Sequence, residues 1–469
     1  MTQIKFGTDG WRAVIDKDFT PENVARVIQA FCDVHQDGRN HLVYIGHDRR
    51  QWSPEMATLA AEILAANGFS VRLTSQFCPT PCVSWLVKDQ KALAGIVITA
   101  SHNPPDWNGI KFKDGFGAAA SPEYTQKIEE QILVNEKMGK VTERGDLATL
   151  KRVGAIQSFD PGQTYLRHLK NFLRVDSIKN ASFKIIYDPL FGAGTGFIGA
   201  ALDGLGVSQI HDVADTRFGG LNPEPIERNL SALRERVLTE GADIGLATDG
   251  DADRIGAFSG DGQFVNSHQI FGLLLLHHVR FRKLRGAVVK SLSTTQLIDR
   301  ICAKVGLPVI ETPIGFKYIS KELLQHDALM GGEESGGISL REHVHERDGV
   351  LNGLLLLEMM AINGKSLAGL LLDMDAEFGK FEFGRDDYHL TDAKIAQVKS
   401  ELTRQPIQEV GGIAVKSINT KDGFKYLFAD DAWLLIRASG TEPLLRVYAE
   451  AIGLPRVKQL LEFARARFM

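Results

Sequence analysis

Gly95-Ile96-Val97-Ile98-Thr99-Ala100-Ser101-His102-Asn103-Pro104-Pro105 reads as a short buried strand running into a polar turn. The β-branched run supplies the strand, and the two prolines stop a helix from starting at once. The Ser101 hydroxyl is thereby presented at the carboxyl end of a strand, the edge where open α/β sheets bind ligands. By itself the Ser-His pair suits a hydrogen-bonded loop as well as a nucleophile. No Gly-x-Ser-x-Gly frame surrounds it, which disfavours a hydrolase elbow.

Strand signals of the same kind recur at Leu42 to Ile45, Lys184 to Tyr187, Ile244 to Thr248 and Ala287 to Lys290. Between them lie helical stretches: Pro54 to Asn67 behind a Ser53 N-cap, Leu292 to Val305, and Leu351 to Ile362. This alternation predicts α/β units with parallel sheets over most of the chain. A chain of 469 residues is too long for one core. Polar or glycine-rich breaks near Lys140–Gly154, Phe258–Gly262 and Asp373–Phe383 divide it into 1–150, 151–257, 258–373 and 380–469. The first three pieces read as α/β and the last as α+β.

The 54 basic and 58 acidic side chains leave a net charge of −4, which argues against general binding to nucleic acid or a membrane surface. A small anionic ligand met by a few placed Arg and Lys is compatible with it. The start of the chain lacks a charged-then-apolar leader, and runs such as Gly272–Leu276 and Leu354–Leu357 are too short to span a membrane. The four cysteines do not form a disulfide or zinc pattern, so a reducing, cytoplasmic setting is expected.

Asp249-Gly250-Asp251-Ala252-Asp253-Arg254 closes another apolar strand. Alternate carboxylates on an extended segment point the same way. At a half-buried site two such charges about 4 Å apart repel by roughly 4 kcal/mol, so three of them need a divalent cation, Mg²⁺ or Ca²⁺. An EF-hand is excluded, because Arg254 stands where its glycine is required and Gly260 where its last glutamate belongs. Arg437-Ala438-Ser439-Gly440-Thr441-Glu442-Pro443 combines a cation, hydroxyls and freed backbone N–H groups, an anion cradle. Gly331-Gly332-Glu333-Glu334-Ser335-Gly336-Gly337 suits sugar hydroxyls, or a bare surface turn. Gly194-Thr195-Gly196-Phe197-Ile198-Gly199, followed by Asp212 and Asp215, carries the rival reading of a nicotinamide-dependent dehydrogenase.

In this order the Ser101, Asp249, Glu333 and Arg437 loops, together with Phe6-Gly7-Thr8-Asp9-Gly10-Trp11-Arg12, resemble the α-D-phosphohexomutase family of phosphoglucomutases and phosphomannomutases. The resemblance implies four domains around a central cleft, three α/β with mixed sheets and a C-terminal α+β. It implies a phosphoserine at Ser101, Mg²⁺ on Ser101, Asp249, Asp251 and Asp253, and His102, Lys111, Arg12 and Arg254 beside the reaction. Glu333 and Ser335 would meet the sugar, with Lys317 at a specificity position, and Arg437, Ser439, Gly440 and Thr441 the nonreacting phosphate. A sugar 1,6-bisphosphate is implied as activator and intermediate. Many relatives carry His where Gly337 stands here; His343 or His345 is the candidate replacement. The Gly-Glu-Glu-Ser form favours glucose phosphates, then mannose phosphates, over glucosamine phosphate. A sugar-phosphate sensor that lost turnover is the non-enzyme alternative, against which the intact Ser101 and three aspartates argue.

Overall fold

The computed structural model describes residues 3–7, 9–36, 41–439 and 443–468. Four sheets follow one another along the chain. The first contains β1 (Trp11–Val14), β2 (Leu42–His47), β3 (Ser70–Thr74), β4 (Ala94–Ile98), β5 (Trp107–Lys113) and β6 (Ile156–Phe159), in the order β1-β5-β4-β2-β3-β6. The second holds β7 (Ile185–Asp188), β8 (Val207–Gln209), β9 (Ile244–Thr248), β10 (Ile255–Ser259) and β11 (Phe264–Val265), ordered β11-β10-β9-β7-β8. The third orders β12 (Val288–Ser291), β13 (Val309–Thr312), β14 (Met330–Gly332) and β15 (Ile338–Leu340) as β13-β12-β14-β15.

These three sheets are mixed, as the family resemblance implies, and not the parallel sheets that the alternation by itself predicts. In each, a parallel strand turns back into an antiparallel neighbour: β4 into β5, β9 into β10, β14 into β15. The turns are the polar loops at Ser101, Asp249 and Glu333. A parallel return needs a crossover of about a dozen residues or more, and these loops are shorter than that. The chemistry-bearing segments therefore sit at corresponding places in three similar units. The sheets also run past two of the expected breaks. β6 pairs with β3, carrying the first sheet to Phe159, and β11 carries the second to Val265.

The fourth sheet is entirely antiparallel. It orders β16 (Phe381–His389), β17 (Glu409–Val410), β18 (Ile413–Asn419), β19 (Phe424–Phe428), β20 (Trp433–Ala438) and β21 (Leu444–Ile452) as β16-β21-β20-β19-β18-β17. The helices Asp392–Arg404 and Leu454–Phe468 cover one face through Val398, Leu402, Leu460 and Ala464. The other face meets the third unit, where Leu292 packs with Trp433, Leu435 and Tyr448.

One apolar core runs through the first three units, joining Val83 and Leu86 to Tyr165, Ile198, Leu246 and the helix Gly349–Asn363. Among the described residues no single helix is long and apolar enough to cross a membrane. Two helix starts differ from expectation. Ser53 lies inside its helix, preceded by Trp52 at φ 68°, and donates to Asp48 Oδ1 (2.6 Å) instead of capping. The helix expected from Leu292 begins at Gln296, because the Thr295 hydroxyl caps Leu297 N.

The helix Thr80–Asp89 lies on β2 and β4, and its first residue reaches the second unit: Thr80 Oγ1 donates to Asp251 Oδ2 (2.5 Å). Its close seating depends on two glycines. A Cβ on Gly46 would come within 2.5 Å of Val83 Cγ2, and one on Gly95 within 2.9 Å of Val83 Cγ1 and Val87 Cγ2. Gly46→Ala should therefore lower stability by about 1–3 kcal/mol through overpacking, read as a lower thermal midpoint, and Gly46→Ala/Val83→Ala should recover part of the loss.

Candidate active site

Ser101 lies at the end of β4 with φ 52°, a left-handed conformation that costs a residue bearing Cβ about 1–3 kcal/mol. Arg50 is the group that imposes it. Buried to 1% exposure, its guanidinium donates from Nη2 to Ser101 O (2.6 Å) and Asn103 O (2.7 Å), and from Nη1 to Pro104 O (2.8 Å) and Trp107 O (3.1 Å). Its Nε lies 3.2 Å from Asp48, which also accepts from Thr99 Oγ1 (2.6 Å). The loop is thus fixed by four main-chain contacts from one rigid cation.

The second unit meets this loop backbone to backbone. A Cβ on Gly250 would stand 2.5 Å from Ser101 O, so only glycine allows the approach. Ser101 Oγ donates to Asp249 Oδ2 (2.8 Å) and lies 3.3 Å from His102 Nδ1. Asp249, Asp251 and Asp253 are fully buried, with one oxygen of each inside a 4.8 Å cluster. Lys111 Nζ bonds Asp9 Oδ2 (2.7 Å), Asp251 Oδ2 (2.7 Å) and Asp253 Oδ2 (2.9 Å). Asp251 Oδ1 and Asp253 Oδ1 are buried and, among the described residues, accept no hydrogen bond. Hard, uncompensated oxygens beside a serine hydroxyl fit a divalent cation.

The carboxyls respond to these surroundings in opposite ways. Burial, and then the charges of Asp253 and Asp251, push Asp249 well above the usual carboxylate range. Burial pushes Asp251 up too, but Lys111 and the Thr80 hydroxyl outweigh it and hold it below that range. Burial followed by the cations Arg254, Arg12, Lys111 and Arg50 holds the His102 imidazole well below its ordinary value. Arg12 Nη1 donates to Asn103 Oδ1 (2.6 Å). Arg254 Nε lies 3.9 Å from both Asp249 and Asp253, and among the described residues it makes no hydrogen bond.

The third unit is tied in through its own loop. Ile255 N donates to Gly336 O (3.2 Å), and Ser335 Oγ to Glu333 Oε1 (2.7 Å). Glu334 accepts from Ser293 Oγ (2.5 Å). Lys317 Nζ reaches back to Gly7 O (3.3 Å). In the fourth unit Arg437 Nε donates to Asp422 Oδ1 (2.9 Å), whose other oxygen accepts from Ile314 N (3.0 Å), and Ser439 N donates to Leu444 O (2.7 Å). Gly440 and Thr441 lie outside the described residues.

Sequence reading missed four participants: Asp9, Arg50, Thr80 and Arg347. Asp9 stood inside a quoted motif, yet nothing in the spacing marked it as a partner of Lys111. Arg347, in Glu346-Arg347-Asp348-Gly349, contacts Asp9 and Asp253 through Nη2 and Glu333 through Nη1. Of the two candidate imidazoles, that of His343 is used elsewhere, while His345 Nδ1 is buried and makes no hydrogen bond among the described residues. His343 bonds His168 and Asp348 (2.8 Å each) beside Trp85, and the His345 carbonyl accepts from Ser320 (3.0 Å). Of the three glycines at 194–199, Gly194 is required by packing, since a Cβ there would lie 2.1 Å from the Tyr187 hydroxyl, and Gly196 takes φ 84° at the helix start, while Gly199 faces open space. The helix behind them, Phe197–Ala201, has only five residues, and the Gly196 N–H is taken by Gln209. That arrangement leaves the dehydrogenase reading without a phosphate cradle.

Known proteins show the same organisation. Family models described as phosphoglucomutase/phosphomannomutase α/β/α domains I, II and III match residues 3–138, 163–262 and 266–377, and the C-terminal domain matches 393–466. A phosphoglucomutase/phosphomannomutase of Thermococcus kodakarensis is 31% identical over 461 residues, 97% of this chain and 96% of that protein. A phosphoglucosamine/phosphogalactosamine mutase of Sulfurisphaera tokodaii is 30% identical over 456 residues, 95% of each. A crystal structure from Thermus thermophilus, provisionally named a phosphomannomutase, superposes with a TM-score of 0.85 at 35% identity and 99% coverage of both chains.

Arg50→Lys keeps the charge facing Asp48 but cannot make four carbonyl contacts. It should destabilise by about 2–3 kcal/mol and loosen the 101–107 loop, measurable as faster amide hydrogen exchange there than in β2.

Proposed function

The chain belongs to the phosphoglucomutase/phosphomannomutase family, and from that premise we propose that it interconverts hexose 1-phosphate and hexose 6-phosphate through a phosphorylated Ser101. The family's members are mutases, a class of isomerase. One observation carries the residue assignment: the Ser101 hydroxyl is 2.8 Å from Asp249, at the rim of three buried aspartates of which Asp251 and Asp253 each keep an oxygen without a hydrogen bond among the described residues.

In this reading Asp249, Asp251 and Asp253 would hold Mg²⁺ together with an oxygen on Ser101. Such an ion would supply neutralisation of the charge on the transferring phosphoryl group. The chain's own residues do the rest by positioning and electrostatics, the main sources of phosphoryl-transfer catalysis. Arg50 aims Oγ, Lys111 bonds Asp251 and Asp253 and holds the Asp251 carboxyl below the usual range, and Arg12 and Arg254 face the phosphate oxygens. His102 stands within reach of Oγ and orients it. Glu333 and Ser335 grip sugar hydroxyls, with Lys317, whose ammonium reaches Gly7 O, at a specificity position, while Arg437, Ser439, Gly440 and Thr441 hold the phosphate that is not reacting.

The P–O bond to Ser101 breaks as a bond forms to the free sugar hydroxyl, and the proton which that hydroxyl loses ends on Oγ. The product is a sugar 1,6-bisphosphate, the intermediate and activator. It turns end over end, and the other phosphoryl group returns to Oγ as the proton passes to the sugar oxygen left behind. No net charge or proton is consumed.

Glucose phosphate is the proposed substrate, with mannose phosphate second. Glu333 is paired with Arg347, and Glu334 lies in the field of Arg385 from the terminal unit. Neither offers the uncompensated carboxylate that an ammonium at C2 would call for, so a neutral hydroxyl suits this loop better. Side-by-side rates on glucose, mannose and glucosamine phosphates test the choice, and a strong preference for glucosamine phosphate overturns it.

Two further outcomes follow from the site. Intact mass should fall by one phosphate on phosphatase treatment, with the group mapping to Ser101, and Ser101→Ala should lose both the group and turnover; a phosphate elsewhere refutes the mechanism. Mg²⁺ should raise the thermal midpoint of the wild type by relieving carboxylate repulsion. Asp249→Asn should abolish that shift while unfolding no earlier than wild type in chelator.

A further inference from the structure

We propose that Arg347 is the positioning residue that sets Glu333 of the sugar loop against the aspartate cluster, and that residue 337 is glycine because the Arg347 stem fills its side-chain space. Arg347 is 2% exposed, and its guanidinium contacts carboxylates from three units: Asp9 from the first, Asp253 (2.6 Å) from the second, and Glu333 (3.1 Å) and Glu346 (3.3 Å) from the third. The ring of Phe316 lies 5.0 Å beneath it. A planar fork with fixed donor directions can set the angle between carboxylates on different loops, which a flexible ammonium cannot.

The constraint at Gly337 is steric and independent of charge. A Cβ there would stand 2.1 Å from Arg347 Cδ and 2.7 Å from Cγ, in the middle of the stem. The stem cannot swing aside without pulling the guanidinium off its carboxylates. Gly337 is also bridged to Arg254 and its carbonyl accepts from Glu333 N (3.1 Å), so its own backbone is held. Its φ is not in the left-handed region, which leaves contact as the reason for glycine. Arg347 therefore takes the room that a side chain at 337 would need, with a permanent cation that works through Glu333.

The test is a double-mutant cycle on the full chain: Gly337→Ala, Arg347→Ala and the pair, with Arg347→Lys as a fourth variant. Its kinetic half rests on the mutase reading above. Arg347→Ala should lower kcat about 10- to 100-fold, the range for losing a hydrogen bond to a charged group, with KM changed much less. Gly337→Ala should do the same although it keeps the guanidinium, and in the Arg347→Ala background it should have no further effect. Arg347→Lys, which preserves the charge and favours folding, should remain well below wild type. Multiplicative effects, a Gly337→Ala variant as active as wild type, or full activity in Arg347→Lys would overturn the proposal. Thermal midpoints give a substrate-free reading of the cycle, in which Gly337→Ala should destabilise only when Arg347 is present. Absence of turnover in the wild type would sink the mutase reading, and the midpoints would still decide whether the two residues are coupled.

Discussion

Three buried carboxylates, those of Asp249, Asp251 and Asp253, and the partly buried Asp9 share one small volume with the cations of Lys111 and Arg347. Each like-charge pair at about 4 Å repels by roughly 4 kcal/mol at an effective dielectric of 20. The cluster persists because Lys111 and Arg347 bond the Oδ2 atoms, leaving Oδ1 of Asp251 and of Asp253 without a hydrogen bond among the described residues. That division turns an unfavourable charge concentration into a site poised for one more cation. It also explains why the three α/β units hold together as they do, since Lys111, the aspartates and Arg347 come from different units.

The folding of each unit delivers its part by the same route. A short loop joins a parallel strand to an antiparallel neighbour, and the polar groups lie in that loop. The glycine at 250 then lets its loop touch the Ser101 backbone directly, and the glycine at 337 leaves room for the Arg347 stem. Arg50 holds Ser101 in a left-handed conformation that it would not adopt alone, so the hydroxyl is aimed before any ligand arrives. Such local strain is characteristic of functional positions, where the surrounding contacts over-determine the backbone. The terminal sheet is built differently, and its Arg437 is steadied by Asp422, which also accepts from the third unit.

Much of this was legible in the chain because its parts are local. An apolar run ending in Thr-Ala-Ser-His-Asn-Pro-Pro shows both strand and loop, and Asp249, Asp251 and Asp253 stand in one segment whose spacing puts carboxylates together. The hairpin returns were not read, since a polar loop of that length looks the same before a parallel or an antiparallel strand. Arg50 and Arg347 were invisible for another reason. Their partners lie 51 and 338 positions away, at Ser101 and Asp9, and an arginine in a polar stretch is ordinarily a solvated side chain.

The amino-acid sequence alone determined which groups could do chemistry, in what order along the chain, and that they would stand at the ends of strands. It could do so because strand periodicity, proline and glycine act over a few residues. Only the tertiary structure decided which charges neutralise which, that the Arg347 stem fills the space at Gly337, and that one guanidinium sets the Ser101 loop. Those outcomes depend on burial and on contacts between distant segments, where the screening by water that sequence reasoning takes for granted has been removed.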